Sequence, residues 1–260
     1  MRSFWGFYNN GKYKVGCNGA TMYLYDADDH ELAKYKDIPY AYRGAFKPHS
    51  NIFVLRLTEG RLAVYDCDER KLLHKFRFSD VDGSQDDGFC FSADGKNFLN
   101  IERTGTSVRT RLSIYETRSF SLVKRMFEDD RSLVLSDIEY NALENQYTVL
   151  FFVRDTHGFY NQGYVGEFKD NQIIHKQPLS AKAYDFLRSY KSLQSSGFTE
   201  KSLKWSGLHY AGLTNDEILT LRDRNFDMFS FPQIAEKFAR LDGCLQEGYC
   251  TSPQNNRSAF

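Results

Sequence analysis

The chain has no net charge: 34 lysines and arginines balance 34 acids across 260 residues. No long-range field therefore steers it toward nucleic acid or an anionic bilayer. Its cations, among them Arg103, Arg109, Arg111, Arg188 and Lys191, are scattered without the aromatic interleaving of a nucleic-acid platform. Long apolar runs are missing too. The longest, residues 149–153, is far too short to span a bilayer. The first ten residues lack the apolar core of a signal peptide, so a cytoplasmic location is expected. Cysteine is sparse: Cys17, Cys67, Cys90, Cys244 and Cys250 are an odd number without paired metal spacing. That points to reduced, buried thiols. There is no Walker loop, no Gly-x-Gly-x-x-Gly turn and no Gly-x-Ser-x-Gly elbow. The six histidines form no His-x-His or His-x-x-x-His pair. The common phosphate-loop, dinucleotide, hydrolase and metal sites thus have no anchor.

What is present is aromatic residue, at 16%, and a pattern. Residues 44–76, GAFKPHSNIFVLRLTEGRLAVYDCDERKLLHKF, read as four short strands rich in β-branched and aromatic side chains, separated by turn residues. The pattern recurs before this unit, at residues 7–35, and after it, at 89–126 and 138–175; a fifth unit is read at 208–238. Aligned on the aromatic that closes each third strand, the units fall at Tyr25, Tyr65, Tyr115, Phe168 and Phe229, with intervals of 40, 50, 53 and 61 residues. A four-stranded unit repeating every 40 residues or so is the signature of a propeller blade, with the excess in later units placed in loops.

Tyr25-Asp26, Tyr65-Asp66 and Tyr115-Glu116 stand where WD-repeat proteins carry Trp-Asp. Residues 91–96, Phe-Ser-Ala-Asp-Gly-Lys, resemble the Phe-Ser-Pro-Asp-Gly-Lys phrase of WD40-like bacterial propellers. The chain thus resembles a degenerate WD40-like β-propeller over roughly residues 3–240, although the family's Gly-His pair is missing from every unit. The resemblance implies an all-β fold: a single propeller of about five four-stranded blades in residues 1–240, six if the later segments build another. Residues 177–206 are read as a helical insertion and 241–260 as a tail. The resemblance implies little about function, because propellers host many.

Loop lengths and side chains supply the functional candidates. Connections after each second and fourth strand share one face of a propeller, and nearly all the long ones belong to that set: 79–88, 103–110, 127–134, 155–162 and 177–206. Enlargement on one face marks a binding face. It gathers Asp80, Asp82, Asp86, Asp87, Asp129 and Asp130 into an acidic rim suited to a basic partner. His157, Phe159 and Tyr160 sit in an enlarged loop on the same face. In 181–193 no Gly or Pro interrupts the helical spacing of Tyr184, Leu187 and Tyr190, and Ser180 is placed to cap it. Its aromatic face, Tyr184 and Tyr190, either docks on the domain or meets a partner. A calcium loop is not expected at 80–87, because Gln85 stands where an EF-hand needs glycine.

On the first strands only Arg43, Asp137 and Glu139 carry charge toward the channel, too few for a catalytic set. The expectation is a non-catalytic protein without cofactor or metal, monomeric on its own. It would bind and neutralise a basic protein partner, as an immunity-type inhibitor does. A general assembly scaffold is the first alternative. The second is a channel hydrolase or lyase using Asp137, Glu139 or His157.

Overall fold

Among the described residues sixteen strands form, and each pairs only with its neighbours in sequence, so that every four make one antiparallel meander. The computed structural model describes residues 2–228 apart from 37, 39, 42, 59, 79–87, 106–108, 143 and 224–227. The first sheet contains β1 (Gly6–Asn9), β2 (Tyr13–Asn18), β3 (Thr21–Asp26) and β4 (Glu31–Tyr35), and the second β5 (Arg43–Phe46), β6 (Ile52–Leu57), β7 (Arg61–Asp66) and β8 (Lys71–Arg77). The third is β9 (Phe89–Phe91), β10 (Asn97–Thr104), β11 (Arg109–Glu116) and β12 (Leu122–Met126). The fourth is β13 (Leu133–Asn141), β14 (Gln146–Val153), β15 (Gln162–Lys169) and β16 (Gln172–Leu179). Four helices follow among the described residues: α1 (Ala181–Ser196), α2 (Glu200–Lys204), α3 (Gly207–Tyr210) and α4 (Asn215–Asp223).

The repeat has a physical basis at the end of each third strand. In the first three sheets the pairing of third and fourth strands shifts register immediately before the closing tyrosine, at Leu24/Tyr25, Val64/Tyr65 and Ile114/Tyr115. The acid that follows caps the next turn. Asp26 accepts from the backbone N–H groups of Asp28 and His30, Asp66 from that of Glu69, and Glu116 from those of Arg118 and Ser119. The His30 N–H first of all holds the Asp26 carboxyl below its ordinary pKa, and the Ser119 hydroxyl, followed by the Ser119 and Arg118 N–H groups, does the same for Glu116. The fourth unit has Lys169 instead of an acid. It turns on Asp170 and Asn171, both left-handed, the pattern of a two-residue hairpin loop. Tyr-Asp here is a strand end plus a turn cap.

The continuous apolar runs are explained by burial on two faces. Along β6, Phe53, Leu55 and Leu57 face the first sheet's core, while Val54 faces the third sheet's. Arg56, fully buried on that second face, donates to the carbonyl oxygens of Ile101 at 2.6 Å and Gly88 at 3.3 Å. It thereby ties the second sheet to the third. Likewise Val149 and Phe151 of β14 join the core shared with the third sheet, and Leu150 faces the helices. Outer strands are left exposed: four of the five residues of β12 are open to solvent.

The fifth unit differs from the sequence reading. Residues 208–210 and 218–221, read as strands, are helical in α3 and α4, and no fifth sheet forms among the described residues. Most of the rest of that unit, including Phe229, lies outside the described residues, as does the tail. The reason is cap chemistry. Thr214 Oγ1 accepts from the Glu217 N–H, and Glu217 Oε2 accepts from the Thr214 N–H, a complete capping box that commits the following Ile-Leu-Thr-Leu to a helix. Four of the five expected units form as sheets, and the fold is mostly β.

Helix α1 behaves as the sequence implies, with Ser180 Oγ accepting from the Ala183 N–H. Its apolar side, Tyr184, Phe186, Leu187, Tyr190 and Leu193, is buried against the fourth sheet and the later helices. Burying five such side chains contributes on the order of 10 kcal/mol before the entropy of ordering is subtracted. The helix also reaches the first sheet, where Tyr8 donates to the Ser195 carbonyl oxygen at 2.8 Å, and just past it Thr199, the cap of α2, donates to the Trp5 oxygen before β1 at 3.2 Å. Gly197 ends α1 in the left-handed region (φ 72°), with Phe198 N–H closing back on the Leu193 oxygen. A Cβ there would stand 2.0 Å from the Phe7 carbonyl oxygen.

Gly197→Ala therefore carries two penalties, about 1–2 kcal/mol for the left-handed backbone and a further loss from the clash. Gly11→Ala, at φ 90° with nothing within 4 Å, carries only the first. Urea unfolding of the two variants tests this. The expected order is a clearly larger loss at Gly197, and equal losses would mean that the approach to Phe7 imposes nothing.

Candidate functional site

Two places gather the side chains that the sequence singles out. The first is the rim formed by the β12–β13 and β14–β15 connections. Asp155 builds the second loop: its Oδ1 accepts from the His157 and Phe159 N–H groups, its Oδ2 from the Asn161 side chain, and its own N–H donates to the Phe159 oxygen. The two loops are tied together where Arg154 N–H donates to the Ser132 oxygen at 2.7 Å and Tyr160 Oη to the Arg131 oxygen at 3.0 Å. On this pinned frame Phe159 stands 62% exposed, with His157 exposed beside it. Asp129 is exposed as well. Asp130 is half-buried, and its Oδ1 accepts from both the N–H and the hydroxyl of Ser132. Asp80, Asp82, Asp86 and Asp87 lie outside the described residues.

Tyr184 and Tyr190 need correction as partner-binding residues. They are 1% and 2% exposed, and so offer nothing to a partner. Tyr184 packs on Phe152 with ring centroids 4.0 Å apart and shares a hydrogen bond with Ser136; Tyr190 packs on Phe198. A short amphipathic helix beside an apolar sheet face buries its aromatic side there, because packing the two together removes both from water. Burial pushes the Tyr190 phenol up to about 12.

The second place is the inner edge of the sheets, where Arg43 on β5 and Asp137 and Glu139 on β13 meet Lys191 of α1. The Lys191 ammonium donates to Glu139 Oε2 and, at 2.6 Å, to the Gln194 side-chain oxygen. The other Glu139 oxygen accepts from the Met228 N–H at 2.7 Å. Asp137, Arg43 and Lys191 are each nearly inaccessible to solvent. Burial raises the Asp137 carboxyl pKa against the pull of Lys191 and Arg43. For Lys191 burial acts downward, but Glu139 and Asp137 outweigh it and the net shift is upward. Burial also raises the Cys90 thiol nearby, which leaves it protonated and unreactive. The sequence shows three of these four charges. Lys191 is hidden because it belongs to the helix rather than to a strand, although its spacing from Leu187 and Tyr184 places it close to the helix's buried side.

Asp26, Asp28 and His30 also lie close enough together to face one cation. Their contacts are those of the turn capped by Asp26, and the His30 ring bonds the same carboxylate at 3.0 Å. Cys17, Cys67 and Cys90 are free. Among the described residues no helix is long and apolar enough to cross a membrane.

No protein-family model matches the chain, and no curated protein matches it. Many solved structures share its fold, among them the hydrazine synthase of Kuenenia stuttgartiensis. That enzyme is similar with a TM-score of 0.51 at 11% identity, over 66% of this chain and 47% of its own. The chain therefore spans just under half of that neighbour's length, and identity this low carries the fold alone.

Removing one partner of the inner ion pair leaves a buried charge uncompensated. Lys191→Met should cost about 3 kcal/mol or more, and the double variant with Glu139→Gln should recover part of the loss. Folded Lys191 holds its proton more tightly than an unfolded lysine does. Its contribution is therefore complete below about pH 10 and fades as pH rises through the raised folded value. Thermal unfolding from about pH 8 to 12 should show this loss in the native chain and a flatter alkaline limb in the double variant. Identical alkaline limbs would remove Lys191 from the account.

Proposed function

We propose that the chain is a degenerate WD40-like β-propeller of four blades, its ring closed by α1 rather than by a fifth sheet. It acts as a non-catalytic binder of another protein. Support for the propeller reading comes from the repeated register shift and turn-capping acid, from sheets packed face to face in chain order, and from the neighbouring hydrazine synthase, which has a β-propeller. The observation that carries the binding reading is Phe159. A large apolar ring held 62% exposed on a loop pinned by Asp155 is the anchor that a protein interface uses, and rigidity lowers the entropy lost on binding. Exposed Asp129 in the adjoining loop favours a basic partner, and occlusion of that partner by the rim would make the chain an immunity-type inhibitor.

The convergence of Asp137, Glu139, Lys191 and Arg43 favours the channel-enzyme reading to the extent that charges do meet there. Their burial and the Lys191–Glu139 ion pair read better as a fastener for α1. His157, the third residue of that reading, is in the separate, exposed rim loop.

A tagged chain used as bait in native lysate, beside Phe159→Ser and Asp129→Lys variants, tests the rim. One basic partner captured in stoichiometric amount is expected, with affinity at least tenfold weaker in the Phe159 variant, about 1.4 kcal/mol. A partner held equally by both variants would contradict the rim reading, and several weak partners would favour the scaffold.

A further inference from the structure

A cleft of about 640 Å³ opens between the first two sheets and the helical segment, within the usual range of small-molecule sites, about 300–1,000 Å³. The rim residues take no part in it. The chain has two tryptophans, Trp5 and Trp205, and although 200 positions separate them both line this cleft. With Tyr40 they leave three large flat side chains open at its walls, 37%, 59% and 68% exposed. Exposed apolar rings gathered at a concave site are stacking platforms, because the face of a planar ligand replaces water on them.

The charges of the cleft point one way. Arg43, nearly inaccessible to solvent, and Arg188 on α1 both line it, against a single acid, Asp185. Asp185 is itself pushed toward its neutral form by burial, against the pull of Arg188. Two further cations flank the tryptophans: Lys201 Nζ lies 5.4 Å from the Trp5 ring centre and Lys204 Nζ 5.9 Å from that of Trp205. The third ingredient is hydroxyl groups. Along α1, Asp185, Ser189, Ser192 and Ser196 recur at helical spacing and turn one polar stripe to the cleft. Ser196 is used within the helix, donating to the Leu193 oxygen, while Ser189, whose hydroxyl lies close against Gly207, and the exposed Ser192 line the cleft.

We infer that this cleft binds a small planar anion of nucleotide size, a flat ring stacking on the tryptophans with an anionic group directed at Arg188 and Arg43. A guanidinium presents paired donors matched to phosphate or carboxylate oxygens, and stacked aromatics accept any planar ring. A neutral sugar would use the rings and the serines but leave the exposed Arg188 without a role. The inference is independent of the rim reading, and either can fail alone.

Because both tryptophans line the cleft, intrinsic fluorescence of the full chain reports on it directly. Emission is titrated with AMP, GMP, CMP and UMP, with adenosine as a ring without charge, and with inorganic phosphate as charge without a ring. At least one nucleotide should change the emission saturably, with Kd of about 1 mM or tighter, and adenosine and phosphate should each bind at least tenfold more weakly. Arg188→Glu, an exposed position, should weaken nucleotide binding at least tenfold with circular dichroism and Tm unchanged, and Arg188→Lys should restore part of it. Trp205→Ala, read through Trp5, should weaken all ring-bearing ligands together. No saturable change with any of the four nucleotides would overturn the inference. So would adenosine binding as tightly as AMP with Arg188→Glu without effect.

Discussion

A sheet stacked between two others is covered on both faces, but the first and last sheets of a row of four each leave one apolar face to water. The rest of this structure depends on how those two faces are covered. The second and third sheets each lie between two others, which is why β6 and β10 are buried almost from end to end. The fourth is covered by α1, whose aromatic side fills the place a further sheet would take. The far face of the first is covered by Phe4, which meets Phe7, Tyr23 and Tyr25. The Lys191–Glu139 pair fixes the helix against β13, and Tyr8 and Thr199 fix its end against the first sheet. One 16-residue helix thereby joins the two ends of the row.

This closure explains what the sequence discloses and what it conceals. The four sheets were legible because each carries its own signal, a run of β-branched and aromatic residues with a turn on either side. The aromatics Tyr25, Tyr65, Tyr115 and Phe168 were correctly assigned to third strands, each lying next to the last residue of its strand. The fifth unit failed because a short apolar run such as Ile-Leu-Thr-Leu fits a strand or a buried helix equally well. The arbiter was the four residues before it, Thr214 to Glu217, whose capping-box spacing outweighs the apolar count. Charges were harder to read still. Arg56 sits inside an apolar run and looks like an interruption, whereas its guanidinium serves backbone oxygens of the neighbouring sheet. Tyr184 and Tyr190 were seen as an aromatic face, but sequence spacing does not say whether a face meets its own domain or another.

The two kinds of surface differ in how the chain invests in them. At the rim, acids build turns: Asp130 and Asp155 spend their oxygens on neighbouring N–H and hydroxyl groups, and the result is a rigid frame for one exposed ring. In the cleft, side chains from β5, from the segments before β1 and β5, and from the helices come together only because α1 is where it is. The cleft residues carry almost no local sequence signal for that reason, apart from the serine stripe of the helix and the rarity of tryptophan. Closure of the sheet row and formation of the cleft are thus one structural event.

Native-state amide hydrogen exchange tests that claim most directly. If α1 is the closing element, the amides of its central turns open only with the strands they hold, with opening free energies within about 1 kcal/mol of those in β6 and β14. If α1 instead exchanged through a local opening several kcal/mol below the strands, the four sheets would stand without it, and the helix would be an appendage rather than the closure.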